Sequence, residues 1–108
     1  MPRPNLGELE EQILLMLIRL GGESYATRVG DALQETTGRA LSPATTFMVM
    51  RRLEQRGLVR SRVDEAGADW GGRPRRFYRV HRAAALPMLR ASRRARLKLW
   101  DGLEALLK

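Results

Sequence analysis

The chain has 108 residues, a formal net charge of +8 and no cysteine. This length fits one domain, or one domain with an added element, and the lack of cysteine excludes disulfides and cysteine-ligated metal. The apolar run Ile13–Ile18 is too short for a bilayer, which needs about 20 residues, and the chain start lacks a signal-peptide pattern. We therefore expect a cytoplasmic protein with no membrane association.

The positive charge is concentrated in the second half of the chain. Residues 1–50 carry four arginines against six acidic residues, whereas residues 51–100 carry fifteen Arg or Lys against four acidic residues. A strongly basic half beside a mildly acidic half indicates a polyanionic partner, and we expect double-stranded DNA. A general preference for arginine over lysine explains the residue type but not the clustering.

The first predicted element is an apolar helix. Leucine and isoleucine recur at three- and four-residue steps over Leu6–Leu20, which is the spacing of one helix face. Further apolar residues cover most of the remaining surface. A helix that is apolar on most sides is expected to lie at the centre of the fold. It should pack both within its own domain and against a further surface. Gly21-Gly22 is predicted to end it.

Two more helices are predicted before the first strand. Ser24 is predicted to cap the second helix. Gly30 inside that helix indicates close packing against a neighbouring helix, because glycine there costs about 1 kcal/mol relative to alanine. Ser42 and Pro43 give the third helix the clearest start in the chain, since proline at the first helical position sacrifices no hydrogen bond. Gly57 is predicted to end it.

A basic hairpin and a last helix complete the predicted order. Alternating apolar and basic residues predict strands over Leu58–Val63 and Arg75–Val80. The last helix is predicted over Pro87–Leu107, with a basic first half and an apolar second half. Three helices followed by a hairpin predict a mainly α winged helix-turn-helix with a small β-hairpin over residues 1–82. Residues 83–108 are predicted to be a C-terminal dimerisation helix.

Five motifs, in their order and spacing, resemble the PadR family of transcriptional regulators, and together they cover nearly the whole chain. The resemblance implies a homodimeric repressor whose C-terminal helices form much of the dimer interface, in the compact branch with one such helix. A two-fold dimer presents its two recognition helices in mirror relation, so we expect an inverted-repeat operator. Release of the repressor by a small molecule stays open. The motifs are Leu6-Gly7-Glu8-Leu9-Glu10, Ser24-Tyr25-Ala26, the run Arg52–Val59, the wing run Gly71–Val80, and Trp100-Asp101-Gly102-Leu103.

Residue type and resemblance together predict a DNA-binding face. On the wing, Arg73, Arg75 and Arg76 are expected to bind phosphates or to enter the minor groove. On the third helix, hydroxyl groups can bind phosphates and arginine can recognise guanine. The predicted DNA-binding residues of that helix are Ser42, Thr45, Thr46, Phe47, Arg51 and Arg52.

The sequence leaves the roles of two residues on the third helix undecided. Thr46 is either a DNA contact or a core residue. Phe47 can share one helix face with Met50 and Leu53, which favours the core, whereas the resemblance turns it outward, where its ring can touch a thymine methyl. Met48 is unusual on a surface that faces DNA.

Apolar residues of the first and last helices are predicted to form the dimer interface or an effector pocket. A chain this short cannot bury both apolar faces alone. Trp100 either packs in the dimer or stacks on a flat ligand between the subunits, so an effector would be small and hydrophobic or aromatic. The predicted residues are Leu6, Leu9, Ile13, Leu89, Leu97, Trp100, Leu103 and Leu107.

No chemistry beyond binding is indicated. His81 is the only histidine and has no partner at helical spacing, so no metal, cofactor or enzyme activity is expected. Two other functions stay open. One is a protein-interaction module that has kept the winged helix and lost specific DNA binding, which Phe47 and Met48 favour. The other is a non-specific nucleoid protein.

Overall fold

The computed structural model describes residues 5–65 and 74–107 of the chain. The first helix, α1, spans Glu8–Arg19. Acidic residues occupy its first turn, where they complement the positive end of the helix dipole. Gly21, with a φ of 97°, follows the helix in the left-handed conformation that glycine adopts without strain.

A short strand, β1 (Glu23–Ser24), separates α1 from α2 (Ala26–Thr37). The prediction that Ser24 caps α2 is therefore wrong, because Ser24 pairs with Tyr78 and Tyr25 occupies the N-cap position. The backbone just before β1 also pairs with β3, since the Gly22 carbonyl accepts the Val80 N–H at 2.9 Å. Tertiary pairing thus holds the backbone extended where local residue preference favours a cap.

Helix α3 spans Pro43–Gln55, and its predicted start is confirmed. The Ser42 hydroxyl accepts the Thr45 N–H at 3.0 Å, and Pro43 is the first helical residue. At the other end, the Arg56 guanidinium donates to the buried Glu10 carboxylate at 2.9 Å. This ion pair joins the end of α3 to the start of α1.

Helices α2 and α3 approach closely at Gly30, as predicted. A Cβ at this position would lie 3.2 Å from the Thr46 hydroxyl oxygen and 3.7 Å from the Leu41 carbonyl oxygen. The first of these contacts is tighter than a usual Cβ contact, so a larger side chain here would require the Thr46 side chain to shift.

Two longer strands follow, β2 (Val59–Asp64) and β3 (Arg75–Val80). They pair antiparallel, and β1 joins the other edge of β3, so the strand order is β1-β3-β2. Val59, Tyr78 and Val80 are buried on the inner face of the sheet. The outer face carries the alternate, mostly charged residues, as the two-residue period of a strand requires.

The last helix, α4, spans Arg82–Trp100, and a 3₁₀ turn follows over Glu104–Leu107. The predicted start at Pro87 is wrong by five residues. The His81 carbonyl accepts the N–H groups of both Ala84 and Ala85, so a run of strong helix formers begins the helix directly after β3. Pro87 lies inside the helix, where it removes one backbone hydrogen bond.

The core lies between the three N-terminal helices and the inner face of the sheet. The predicted fold class is confirmed: the protein is mainly helical, with a small antiparallel sheet in a winged helix arrangement. In the described ranges, no helix is both long and apolar enough to cross a membrane. The largest fully buried side chains are Tyr78, Ile13, Leu14, Leu17, Leu33, Met50 and Leu53.

Candidate nucleic-acid interface

Helix α3 divides into a buried face and an exposed face. Val49, Met50 and Leu53 are buried in the core. Arg51 and Arg52 are exposed on the opposite side, so both guanidinium groups can reach a molecule outside the protein.

The N-terminal end of α3 presents two exposed hydroxyl groups. Ser42 donates a hydrogen bond to the Thr45 hydroxyl at 2.9 Å while it accepts the Thr45 N–H. Both residues are exposed. Hydroxyl groups at the positive end of a helix dipole are suited to bind a phosphate. The capping role of Ser42 is therefore compatible with a contact to the DNA backbone.

Thr46 lies in the core, which corrects the prediction that it contacts DNA. Its side chain is 0% exposed, and its hydroxyl donates to the Ser42 carbonyl at 3.1 Å. The physical reason is the glycine at position 30, which leaves space between α2 and α3 for a small polar side chain with an internal hydrogen-bond partner. The alternative core assignment for Thr46 is confirmed.

Phe47 belongs neither to the core nor to the most outward part of α3. Its side chain is 39% exposed, and its ring packs edge-on against the Tyr78 ring, with 6.3 Å between centroids. It forms one wall of a cavity of about 370 Å³, which we call the notch, where α3, the start of α2 and β3 meet. The residues that line the notch are Tyr25, Ala26, Thr27, Phe47, Arg75, Arg76 and Tyr78.

Two of the three predicted wing arginines are described, and both are held by neighbouring side chains. The Arg75 guanidinium lies 4.5 Å from the centroid of the Tyr25 ring. Arg76 donates to the Ser61 hydroxyl at 3.0 Å, and Ser61 in turn donates to the Glu54 carboxylate of α3 at 2.5 Å. These contacts fix the two cations relative to α2 and α3. Arg73, the third predicted wing residue, lies outside the described residues.

A row of two aromatic rings followed by an ion pair crosses the outer face of the sheet, and sequence reasoning missed it. The Tyr25 and Phe77 rings meet edge-on at 5.4 Å. Arg62 lies 4.9 Å from the Phe77 centroid and donates two hydrogen bonds to Glu23. We call Tyr25, Phe77, Arg62 and Glu23 the outer row. Its signal in the sequence is weak, because Glu23 and Tyr25 belong to a two-residue strand and its end.

The hydrogen bonds of the outer row shift the ionisation of its carboxylate. The Arg62 guanidinium lowers the pKa of Glu23 by hydrogen bonding and charge, with burial acting in the opposite direction. Within the core, burial raises the pKa of the Tyr78 phenol. Glu23 is therefore ionised at neutral pH and Tyr78 is neutral.

The predicted dimer or effector residues separate into two groups. Ile13 is fully buried in the core of its own chain, which corrects its prediction as an interface residue. Leu6 and Leu9 pack against that core from its edge, and Leu89 is buried. The remaining four are exposed, at 54% for Leu97, 48% for Trp100, 45% for Leu103 and 63% for Leu107.

An apolar cavity of about 320 Å³ lies between α1 and α4. Leu15, Ile18 and Leu89 contribute to its apolar wall, and arginines of α4 form its rim. The buried Glu11 carboxylate also lines it, accepts a hydrogen bond from Ser92 and forms an ion pair with Arg96. This contact joins α1 to α4 at the side of the cavity.

His81 has a structural contact where β3 passes into α4. Its Nδ1 lies 3.2 Å from the Gly57 carbonyl oxygen. In residues 5–65 and 74–107, no group of three His, Cys, Asp or Glu side chains is placed to hold a metal ion.

The packed trio α1–α3, the hairpin beside α3 and the long final helix define a protein of the winged helix class. The chain matches no protein-family model and no curated protein, but solved structures match over most of its length. A PadR-family transcriptional regulator from Eggerthella lenta is 31% identical, with a TM-score of 0.68 over 94% of this chain and 87% of that one. This chain belongs to the PadR family of transcriptional regulators.

Two further structures show the same fold at lower identity. A transcriptional regulator from Clostridium thermocellum is 19% identical, with a TM-score of 0.72 over 93% of each chain. A PadR-family transcription regulator from Clostridium difficile is 17% identical, with a TM-score of 0.56 over 90% of this chain and 93% of that one.

Proposed function

We propose that this protein is a homodimeric repressor that binds an inverted-repeat DNA operator in the cytoplasm. The observation that carries the proposal is the notch, where Phe47 of α3, the start of α2 and two wing arginines converge. The convergence puts a helix fit for the major groove next to cations fit for phosphates. The role is one of binding rather than catalysis.

The two sets of arginines have different tasks in this proposal. Arg75 and Arg76 bind phosphates, because both reach the notch from β3. Arg51 and Arg52 lie on the exposed face of α3, where a guanidinium can donate two hydrogen bonds to guanine. Ser42 and Thr45 contact the backbone at the N-terminal end of that helix, and Arg73 joins the phosphate contacts.

An exposed apolar surface supports the homodimer. Trp100 and five leucines lie exposed on the end of α4 and the segment that follows it. Exposed large apolar side chains concentrated in one segment favour an interaction site, and a second copy offers the same segment in return. Residues 1–82 then form the DNA-binding unit and residues 83–108 the dimerisation element. The exposed leucines are Leu97, Leu99, Leu103, Leu106 and Leu107.

The cavity between α1 and α4 supports control by an effector. It is mostly apolar and lies next to the proposed dimer surface, so a small hydrophobic or aromatic molecule there would change how α4 packs on α1. Trp100 either stacks on such a molecule or packs against the partner subunit.

Selection from a pool of randomised duplexes tests the DNA-binding role. Purified protein should enrich one sequence, which we call the operator, and fluorescence anisotropy should give at least 10³-fold tighter binding to it than to random duplex at physiological salt, as is typical of specific regulators. Retention without enrichment would instead favour a non-specific nucleoid protein.

A second candidate is a protein-interaction module, and the apolar surface of α3 favours it. Met48 is 61% exposed and Phe47 is 39% exposed, which is unusual on a surface that faces DNA. The same selection separates the two functions, because a module that has lost DNA binding would enrich no sequence and would show no steep salt dependence.

A further inference from the structure

The exposed face of α3 changes character along its length. Its N-terminal half presents Ala44, Phe47 and Met48 beside the hydroxyl of Thr45, whereas its C-terminal half presents Arg51, Arg52 and Gln55, all of them exposed. Met48, at 61%, is the most exposed large apolar side chain of the described residues that precede α4.

Helical geometry separates Met48 from its neighbour Phe47. Successive residues of an α-helix are turned by about 100°, so Ala44, Met48, Arg51 and Gln55 follow one line along the outward side. Phe47 is turned from that line toward the notch, where its ring contacts Tyr78. Met48 therefore lies between two small or polar neighbours at the centre of the outward face, with no role in the core.

Only one feature of the base edges suits such a side chain. In the major groove the base pairs present hydrogen-bond donors and acceptors, and the 5-methyl group of thymine is the apolar exception. Methionine is unbranched and polarisable, so its thioether can adjust to a methyl group whose position varies slightly.

We propose that Met48 contacts the 5-methyl group of a thymine in each half of the operator, and so contributes to base specificity. The inference rests on the proposed DNA-binding function and names the base feature that the apolar half of α3 recognises. The same contact is available to 5-methylcytosine, which carries its methyl group at the same ring position. Phe47 is assigned a different task, as a wall of the notch.

Replacing thymine by deoxyuridine tests the contact, since it removes the methyl group and keeps every hydrogen-bonding group. Each thymine of one half-site is replaced in turn, and the dissociation constant is measured by anisotropy. Burial of one methyl group predicts about fourfold weaker binding at one thymine, and about fifteenfold when both half-sites are changed. At that position, 5-methylcytosine should bind more tightly than cytosine by a similar factor.

Three variants assign the effect to Met48. Met48→Ala should bind thymine and uracil operators equally, whereas Met48→Leu should keep the difference. Val63→Ala is the matched control, because it shortens an exposed apolar side chain of β2 and should leave the difference unchanged. Circular dichroism checks that each variant is folded, which is expected since both side chains are exposed.

The outcomes separate this inference from the proposed function. If wild-type protein prefers the operator and no thymine replacement weakens binding, the inference is wrong and the function stands. The same holds if Met48→Ala keeps the full difference between thymine and uracil. If no operator is enriched at all, both fail together.

Discussion

Arg62 donates hydrogen bonds of 2.8 and 3.1 Å to Glu23 while its guanidinium lies 4.9 Å from the centroid of the Phe77 ring. One side chain of β2 thus joins the other two strands of the sheet. Tyr25 extends the row, because its ring packs edge-on against Phe77 and also contacts the Arg75 guanidinium. The wing is thereby oriented relative to the start of α2, next to the proposed phosphate contacts.

The Glu23 carboxylate makes the stability of this arrangement depend on pH. Its pKa in the folded protein lies below the usual value of 4.5, so its contribution is present above that pH and is lost as the pH falls through the lower, folded-state value. We expect Glu23→Gln to be less stable than wild type at pH 7, and the difference to shrink below about pH 4.5. Thermal denaturation from pH 3 to 7 measures it.

Glu35→Gln is the matched control for this experiment. It removes the same charge from an exposed position on α2. If Glu35→Gln and Glu23→Gln change the pH profile equally, the loss of charge explains the effect and the Arg62 contact does not.

The close approach of α2 and α3 predicts a position that tolerates no branched side chain. Gly30→Val would place its Cβ 3.2 Å from the Thr46 oxygen and its two methyl groups against α3. Overpacking of this kind typically costs 1–3 kcal/mol, so we expect a loss of about 2 kcal/mol in the free energy of unfolding. Urea denaturation of Gly30→Val and of Asp31→Val, an exposed neighbour, should give a large loss only for the first. Valine is a better helix former than glycine and about equal to aspartate, so helix propensity explains neither loss. Equal losses in the two variants would contradict the overpacking account.

The wing arginines are expected to act through charge. Arg75→Ala or Arg76→Ala should weaken binding to operator and to random duplex alike, because phosphates occur at every position. Each should lower the slope of log affinity against log salt by about one for every phosphate group that the variant no longer binds. Salt titrations on both duplexes measure this, and weaker binding confined to the operator would contradict the assignment.

The exposed arginines of α3 should behave differently. If Arg51 or Arg52 contacts a guanine edge, its change to alanine should cost about 1–3 kcal/mol on operator and much less on random duplex. The same titrations provide the comparison. A uniform decrease in affinity for both duplexes would place that arginine on the phosphate backbone instead.

The apolar C-terminal surface predicts the assembly state. Light scattering at micromolar concentration should give twice the 12.3 kDa mass of one chain. Truncation after Arg96 removes Leu97, Trp100, Leu103 and Leu107, and should yield monomer or aggregate. Leu15→Asp, another exposed apolar position but on α1, reports whether that helix shares the interface. A 12.3 kDa particle for the full chain would contradict the dimer.

The sequence predicts those elements whose signals are local. Ser42 and Pro43 specify the start of α3, and two-residue alternation specifies β3, since each signal depends on neighbouring residues alone. The error in the predicted start of α4 has a local cause too. The alanines before Pro87 already form the first turn of the helix, which the proline was expected to begin.

The remaining differences depend on contacts between distant parts of the chain. β1 forms because Ser24 meets Tyr78, 54 positions later. Thr46 is buried because a glycine of α2 faces it. The outer row needs three strands in register before Arg62 can reach Glu23. Such pairings cannot be inferred from residue spacing within one element.

A hydroxyl-radical footprint of the selected operator tests the central proposal most directly. A two-fold dimer presents its two α3 helices in mirror relation, so protection should fall on two half-sites related by dyad symmetry, about one helical turn or roughly 34 Å apart. Arg51→Ala should weaken both protected regions equally. A single protected region, or protection without dyad symmetry, would contradict the homodimeric repressor.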